Sequence, residues 1–363
     1  MDLEQTAQIT ERPDILLLLL PCDPYDDFIR TVKDDHPGIS VRWFNVAAPG
    51  GGLFSCDDVP TEVWEGVTML CTYLLPRPEL VPCLQFVQLT SAGSDQCVGN
   101  GIFEDPNIIF CSANGIHPPQ IGEWVMGTWL KHQHGFGRYE QLMTDEYWEP
   151  PYKSQVEDSV GLRMGILGYG AIGRQCANIG KALGMDVIAF TMRARSTAES
   201  RRDDSFLVPG TGDPEGLIPS KWYHGATRND LNNFLNQGLD LLVLCLPLTS
   251  RTKGMMGKEQ FQILSKKRCF VCNVGRGGLI VSNDLVEALE LGWLRGAALD
   301  VTDPEPLSKG HPLWKAPNIF ITPHVSWKSD KYWRRVLDIL ELNLKAFDSN
   351  GNWVNRLEKG MTC

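Results

Sequence analysis

A short glycine-rich stretch constrains the fold of this chain more than any other feature. Residues 163–174 read RMGILGYGAIGR, so an apolar run leads into three spaced glycines and then into a helical pattern. In such a turn the first glycine permits a tight bend, the second lets an anion approach the backbone, and the third brings helix and strand together. The N–H groups that begin the helix then face the anion. The stretch predicts a dinucleotide-binding unit, with cofactor contacts from Gly168, Gly170, Ala171, Ile172 and Gly173.

The residues after the next apolar run bear on which dinucleotide would bind. The run DVIAF at 186–190 is followed by Thr191, where an acidic side chain would accept hydrogen bonds from the adenosine ribose. No acid stands there, and Arg193 and Arg195 follow instead. Because a guanidinium group suits a phosphate, the sequence favours NADP over NAD, with contacts from Thr191, Arg193 and Arg195. The alternative is that these arginines only solvate a surface loop.

Apolar segments that predict strands alternate with helical stretches along most of the chain. The segments lie at 15–20, 86–90, 108–113, 163–168, 186–190, 239–247, 268–274, 296–301 and 319–323. Continuous apolar runs separated by helices are typical of parallel sheets covered on both faces, so the predicted fold class is α/β. A last amphipathic helix begins near Ser329 and ends before Gly351. The stretch 191–229 is too long for an ordinary connection and is interpreted as a polar, partly mobile insertion.

Composition argues against several classes of protein. The chain has 34 basic and 44 acidic residues and a formal charge of −10, which disfavours nucleic acid and anionic membranes as partners. Its longest aliphatic run, residues 15–20, is far shorter than the roughly 20 residues needed to cross a bilayer. The eleven cysteines are scattered, and only Cys269 and Cys272 form a C-x-x-C, with no second pair at metal-ligand spacing. We therefore expect reduced thiols, no metal and a cytoplasmic location.

Three later segments supply candidate catalytic residues. Each closes a predicted strand: NVGRGG at 273–278, LDVTDPEP at 299–306 and TPHVSW at 322–327. The carboxyl ends of parallel strands lie at one edge of the sheet, and open α/β sheets bind ligands there. We therefore expect Arg276, Glu305 and His324 to lie on the same edge as the glycine loop.

These residue types suit the transfer of a hydride to a carbonyl, which leaves negative charge on the oxygen and so needs a proton donor. The imidazole of His324 can donate near neutral pH, and a carboxylate from Glu305 would orient the ring and favour its protonated form. Arg276 can hold a substrate carboxylate at two points, and Asp300 can accept from a nicotinamide carboxamide. Each residue alone also has a plain structural interpretation. Their order after a dinucleotide loop favours the catalytic one.

At these segments the sequence resembles the D-isomer-specific 2-hydroxyacid dehydrogenase family, and the resemblance covers most of the chain. It implies that Arg276, Glu305 and His324 form the catalytic set, with Arg276 and His324 also contacting the substrate. The family's loop that binds the substrate carboxylate through backbone N–H groups is similar to SAGSD at 91–95, which implies contacts from Ala92 and Gly93. The segment DLLVLCLPLT at 240–249 also matches the family. Further cofactor contacts are then expected from Pro247, Thr252, Val274 and Asp300.

The resemblance also implies the domain organisation and the activity. The expected fold has two doubly wound parallel-sheet domains: a Rossmann-type nucleotide domain, 127–327, inserted in a flavodoxin-like substrate domain, 1–126 plus 328–363. The missing acid at Thr191 resembles the NADPH-preferring glyoxylate and hydroxypyruvate reductases of the family. We expect a homodimeric enzyme that transfers a hydride between NADP or NAD and a small 2-oxo acid, giving a D-2-hydroxy acid. The alternative is a dinucleotide-sensing binding protein, similar to the transcriptional corepressors that resemble this family.

Overall fold

A computed structural model describes residues 13–153, 156–349 and 351–358 of the chain, and these residues form two compact units. Unit 1 contains the described residues up to Asn114 and those from Lys331 onwards, and unit 2 runs from Gly115 to Asp330. Within these described ranges, no helix has both the length and the hydropathy that crossing a membrane requires.

Unit 1 is built on a parallel sheet. Its strands are β1 (Asp14–Leu20), β2 (Ile39–Asn45), β3 (Met69–Thr72), β4 (Phe86–Leu89) and β5 (Ile109–Cys111). The helices between them are α1 (Asp26–Asp35), α2 (Thr61–Trp64) and α3 (Gly101–Glu104). The strand order is β2-β1-β3-β4-β5, the flavodoxin-like order. The five consecutive leucines of β1 are all buried, as expected for a strand that is covered on both faces.

Unit 2 contains a seven-stranded parallel sheet. Its strands are β6 (Arg163–Leu167), β7 (Asp186–Thr191), β8 (Lys221–His224), β9 (Leu241–Leu244), β10 (Phe270–Asn273), β11 (Gly296–Leu299) and β12 (Ile319–Ile321). Its helices are α4 (Pro118–Gln133), α5 (Phe136–Thr144), α6 (Ala171–Ala182), α7 (Ala198–Arg201), α8 (Arg228–Leu235), α9 (Lys258–Leu264) and α10 (Ser282–Glu290). The order β12-β11-β10-β9-β6-β7-β8 is the Rossmann order with one further strand. The chain reverses its direction of strand addition between β6 and β9, where such folds bind ligands.

The long helix α11 (Tyr332–Ser349) returns the chain to unit 1. It begins three residues after the predicted start at Ser329 and ends before Gly351, as expected. On its apolar face, Val336, Leu337, Leu340 and Leu344 are fully buried. Trp333 and Phe347 on the same face are half-buried.

Helix α4 lies entirely in unit 2, although the expected domain boundary at residue 127 would divide it. It packs against α6, and Gly122 stands at their contact. A Cβ at Gly122 would lie 2.9 Å from Gln175 Cγ and 3.0 Å from Ile179 Cδ1. The buried Trp129 of α4 belongs to the same apolar cluster as residues of β6. Unit 2 therefore begins earlier than the sequence suggested, because α4 covers its sheet.

The stretch 191–229 is not the loop insertion that the sequence suggested. It contains α7 and also β8, which pairs with β7 at the edge of the sheet. Between these elements, Asp213 is buried and its carboxylate accepts hydrogen bonds from the backbone N–H groups of Leu217 and Ile218. Strand pairing and buried hydrogen bonds thus make this stretch an integral part of unit 2.

Six of the ten cysteines that the structure describes are buried. The cysteines that the structure describes are free thiols, and Cys363 lies outside the described residues. Cys269 and Cys272 are both buried, and burial raises the pKa of each thiol well above its usual range. A thiol that stays protonated is a weak nucleophile, so this C-x-x-C is part of the core.

Candidate active site

The glycine loop after β6 has the geometry that its spacing predicts. Gly168 has φ +97°, and a Cβ there would lie 2.9 Å from a backbone oxygen at the end of β9. A Cβ on Gly173 would lie 2.2 Å from the Gly168 oxygen, so this position needs a glycine for the helix to approach the strand. A Cβ on Gly170, by contrast, would meet nothing within 4 Å. That open space, directly before the start of α6 at Ala171 and Ile172, fits an anionic pyrophosphate.

The register of the unit 2 sheet places the three predicted catalytic segments side by side. The last residues of β10, β11 and β12 are aligned across the sheet, and β6 and β9 end at the same level. The loops that follow β10, β11 and β12 carry Arg276, Glu305 and His324, respectively. Because all these strands are parallel, the three residues follow the same sheet edge as the glycine loop.

His324 and Glu305 form a direct pair. The imidazole Nδ1 lies 2.6 Å from Glu305 Oε1, and the two side chains are 43% and 41% exposed, so a small molecule can reach them. The backbone of His324 has φ +54°, a region that L residues rarely occupy. Its N–H donates to the Asp300 carbonyl at 2.8 Å, and its own carbonyl accepts from Trp327 Nε1 at 2.8 Å. Since Nδ1 contacts the carboxylate, Nε2 is the ring nitrogen that can exchange a proton with a substrate.

Asp300 is hydrogen-bonded to the loop that carries His324. The residue is 1% exposed, and its carboxylate accepts four hydrogen bonds from this loop. Oδ1 accepts from Thr322 Oγ1 at 2.6 Å and from Val325 N at 2.8 Å. Oδ2 accepts from the N–H and the hydroxyl of Ser326, at 3.0 and 2.5 Å. Four donors occupy the acceptor sites of this carboxylate, so Asp300 holds the histidine loop in place.

The loop of Arg276 is packed against the segment that leads to Glu305. A Cβ on Gly277 would lie 1.9 Å from the Thr302 oxygen, so only glycine permits this approach. Asn273 holds the loop with both ends of its amide, because Nδ2 donates to the Arg276 oxygen at 3.0 Å and Oδ1 accepts from Gly275 N at 3.1 Å. Arg276 is half-buried, and its Nη1 donates to the Gly275 oxygen at 2.9 Å. The guanidinium is thereby held on the site edge.

The two arginines after β7 differ in their surroundings. Thr191 Oγ1 donates to the Arg193 oxygen at 2.7 Å, which shapes the turn after the strand. The Arg193 side chain is exposed. The Arg195 guanidinium instead donates to the Ser200 carbonyl, and its own carbonyl accepts from Arg201 Nε at 2.9 Å. Of the two predicted phosphate ligands, Arg193 therefore presents its guanidinium to solvent, whereas Arg195 is used within its own loop.

A cleft of about 210 Å³ opens at the ends of β7 and β9, and Met192, the residue before Arg193, is part of its lining. It has an apolar floor and a cationic rim. The floor consists of Phe190, Leu231, Leu246 and Met255, and the rim carries Arg228, Arg251 and Lys253. An apolar slot bordered by cations suits an adenine ring with phosphate beside it. Sequence reasoning missed the three rim residues, although Arg251 and Lys253 flank Thr252, which it did select.

Three further predicted cofactor residues, Pro247, Thr252 and Val274, lie in the loops after β9 and β10. Thr252 Oγ1 donates to the Pro247 oxygen at 2.8 Å and accepts from Thr249 N at 2.8 Å, so it folds the loop after β9. Val274 is 7% exposed, and its N–H donates to the Leu244 oxygen at 3.2 Å. Their side chains thus shape the edge, and Pro247 is the exposed member of the group.

Unit 1 contains the predicted carboxylate loop after β4. Ser91 Oγ donates to the Gly93 oxygen at 2.7 Å and accepts from Gln96 Nε2 at 2.8 Å, which curls the loop. Within the part of the chain that the structure describes, the backbone N–H groups of Ala92 and Gly93 donate to no protein acceptor. Two N–H donors on a short curled loop suit an anion.

Comparison with known proteins identifies the family. Residues 126–207 and 214–326 match the family described as D-isomer specific 2-hydroxyacid dehydrogenase, NAD binding domain. The chain belongs to this family. It is 30% identical over 292 residues to a hydroxypyruvate reductase of Blautia hydrogenotrophica, and this match covers 78% of this chain and 82% of that protein. It is 33% identical over 224 residues to a glyoxylate reductase of Aeropyrum pernix, which covers 61% of this chain and 59% of that protein.

Solved structures agree with the fold. The crystal structure of a D-isomer specific 2-hydroxyacid dehydrogenase from Xanthobacter autotrophicus Py2, in complex with NADPH and MES, matches with a TM-score of 0.70. The sequence identity is 24%, and the match covers 95% of this chain and 98% of that chain. The family, the two-domain α/β fold and the enzyme class expected from the sequence are thus confirmed. The protein is an NAD(P)-dependent 2-hydroxyacid dehydrogenase.

Proposed function

We propose that this dehydrogenase reduces small 2-oxo acids to D-2-hydroxy acids, with His324, Glu305 and Arg276 as its catalytic residues. The 2.6 Å contact between His324 Nδ1 and Glu305 Oε1, on the same sheet edge as the glycine loop, is the observation that carries this proposal. The nicotinamide cofactor, when bound, supplies the hydride. Gly168, Gly170 and Gly173, with the start of α6 at Ala171 and Ile172, would hold its pyrophosphate.

Each catalytic residue has a distinct task in the reduction. His324 Nε2 donates a proton to the carbonyl oxygen as that oxygen gains negative charge. Glu305 keeps the ring oriented through Nδ1 and stabilises the imidazolium form before the proton leaves. Arg276 binds the carboxylate of the substrate through two parallel N–H bonds and so aligns the adjacent carbonyl. The curled loop with Ala92 and Gly93 provides backbone donors of the kind that also suit a carboxylate.

For the cofactor we propose NADP(H) in preference to NAD(H). No acid follows β7 to repel a 2′-phosphate, the Arg193 side chain is exposed, and the preceding Met192 lines a cleft whose rim carries three cations. A phosphate on the ribose would gain charge-assisted hydrogen bonds there, which NADH cannot make. Arg193 therefore takes the role that the sequence divided between Arg193 and Arg195.

The proposal is tested by measuring the consumption of NADPH and of NADH with glyoxylate, hydroxypyruvate and several bulkier 2-oxo acids. We expect turnover with at least one of them, faster with NADPH at low cofactor concentration. His324→Ala should abolish turnover without changing the melting temperature. Lys328→Ala, which alters an exposed side chain four residues away, is the matched control and should retain full activity. A wild-type protein that consumes neither dinucleotide with any of these acids contradicts the proposal.

We also propose a homodimer in a reducing compartment such as the cytoplasm. The exposed apolar side chains of unit 2 include Met143, Trp148 and Tyr152, which are 79%, 92% and 97% exposed, and a second copy could cover them. The free cysteines fit a reducing compartment. Light scattering should give twice the chain mass of 40.6 kDa. Trp148→Glu should shift the protein towards the single chain, and a wild-type mass of one chain would refute the assembly.

A further inference from the structure

We infer that residues 201–218 hold the glycine loop from behind and thereby set the affinity of the protein for its dinucleotide. The inference rests on the proposed cofactor binding. Tyr169, the second residue of the loop, is 5% exposed and turns its side chain into unit 2. Its hydroxyl donates to Asp213 Oδ2 at 2.7 Å, and Asp213 is itself 6% exposed. The loop is therefore tied to a segment far along the chain by a buried hydrogen bond to a carboxylate.

The carboxylate of Asp213 also folds the segment that presents it. Oδ1 accepts from Leu217 N at 3.0 Å, and Oδ2 accepts from Ile218 N at 3.1 Å. The turn that these bonds close lies against the tyrosine, whose ring is also in edge contact with Trp222 at 4.8 Å. The carboxylate of Asp213 thus joins the Tyr169 hydroxyl to the backbone of this turn.

Arg174, in the first turn of α6, fastens the same segment at a second place. It is 3% exposed. Its Nη2 donates to the backbone carbonyl of Arg201 at 2.6 Å, and its Nη1 donates to the backbone carbonyl of Asp213. Its Nε forms an ion pair with Asp203 Oδ2 at 3.1 Å. The guanidinium carbon also lies 5.1 Å from the Tyr169 ring centroid, within the range of a cation–π contact. The segment thus contacts both the loop and the helix that the loop begins.

The next residue of α6 adds a third attachment. Gln175 Oε1 accepts a hydrogen bond from Gly212 N at 2.6 Å, and this bond is buried. Hydrogen bonds therefore reach the segment from positions 169, 174 and 175, on either side of Gly170. The open face of the loop, where a Cβ on Gly170 would meet nothing, is left for the anion.

This arrangement makes Tyr169, Arg174 and Asp213 positioning residues. A glycine-rich loop is flexible, and a ligand that must order it loses affinity to that ordering. A loop that is already fixed by buried bonds avoids that loss, and it does so for NADPH and NADH alike because both carry the same pyrophosphate. None of the three side chains lies among the residues assigned to proton transfer. We therefore expect these three residues to affect cofactor binding and to leave the chemical step unchanged.

The test measures the Kd values of NADPH and NADH by fluorescence titration. Tyr169→Phe removes only the hydroxyl and should raise both Kd values by the same factor, roughly 10- to 100-fold, as for the loss of one hydrogen bond to a charged group. At saturating cofactor, kcat should stay within about twofold of the wild type, a split that general destabilisation would not produce. The double variant Tyr169→Phe with Asp213→Asn should lose little more affinity than Asp213→Asn alone, because the two substitutions break one shared contact.

Leu217→Ala is the matched control, because it alters a side chain of the same segment that is 76% exposed, and it should leave both Kd values unchanged. Melting temperatures establish that each variant is folded, and Tyr169→Phe alone decides the question if Asp213→Asn fails to fold. Wild-type Kd values in folded Tyr169→Phe would overturn the inference, as would a fall in kcat without a change in Kd. A wild-type protein that binds neither dinucleotide would instead refute the proposed function.

Discussion

Replacing Asp300 with asparagine distinguishes between two roles for this carboxylate: holding the histidine loop and binding the nicotinamide carboxamide. Each of its oxygens accepts one backbone N–H, from Val325 on one side and from Ser326 on the other. An asparagine side chain has a single acceptor oxygen, so its NH₂ group must face one of these N–H groups in either orientation. Hydroxyl partners can rotate to adapt, but the backbone donors cannot.

The magnitude follows from the bonds that are lost. A hydrogen bond to a charged group contributes about 1.5–3 kcal/mol, so losing one and weakening the rest removes about 3 kcal/mol from the conformation that holds His324 at φ +54°. This free energy corresponds to a roughly 100-fold lower equilibrium constant for the competent loop, which is the largest factor by which its population can fall. We therefore expect Asp300→Asn to lower kcat by up to about 100-fold at saturating substrate, and to change the Kd of NADPH by less than about threefold.

The assay combines steady-state turnover with cofactor titration on the same preparations. Ser326→Ala is the graded control, because it removes one hydroxyl donor and keeps both backbone bonds to Asp300. It should cost about 1 kcal/mol, or roughly fivefold in kcat. If Asp300→Asn instead raises the Kd of NADPH about tenfold and leaves kcat close to wild type, the carboxylate binds the cofactor and the reasoning from its four donors is refuted.

The other predictions concern separate parts of the site. Glu305→Gln should lower kcat roughly 100-fold without weakening cofactor binding, and unchanged turnover would contradict the pairing with the histidine. Arg193→Ala should raise the KM of NADPH about tenfold and spare NADH, whereas Arg195→Ala should change neither by more than about twofold; the reverse ranking would refute the assignment. Gly173→Ala should abolish dinucleotide binding, measured by titration, since its Cβ would lie 2.2 Å from a backbone oxygen, and retained affinity would contradict this. Burial and neighbouring arginines lower the pKa of His132 to about 4, so protonation favours the unfolded chain below about pH 6.5. Denaturation at several pH values should show wild type losing up to about 3 kcal/mol relative to His132→Gln between pH 6.5 and 4, and parallel curves would refute this.

Most strands that are continuous apolar runs were predictable, although the short strand β3, whose four residues are all buried, was not among the predicted segments. β1 and β10 are buried on both faces, so nearly every side chain in them is apolar and the run is visible in the sequence. β8 was missed because KWYH is a four-residue edge strand with an exposed residue at each end. β2 was missed because its residues are mostly half-buried, which leaves polar side chains within it.

The sequence indicated which residues lie at the site, but it indicated fewer of their hydrogen-bond partners. The pairing of His324 with Glu305 could be anticipated because both follow neighbouring strands of one sheet, and an imidazole needs a partner to be oriented. The partners of Asp300 could not be anticipated from the sequence. Its donors lie on a different loop, and their approach depends on how that loop turns. In the same way, the position of Arg195 after β7 made it a predicted phosphate ligand. Its guanidinium instead donates to the Ser200 carbonyl, a contact that forms only in the folded loop.

The most direct test of the central claim follows deuterium from the C4 position of NADPH into the product of a 2-oxo acid that the protein consumes. We predict that wild type forms the D-2-hydroxy acid with the label on C2, and that His324→Asn transfers it roughly 1,000-fold more slowly while binding NADPH with the same Kd. Transfer by His324→Asn at the wild-type rate, or a product that is the L isomer or lacks the label, would contradict this prediction.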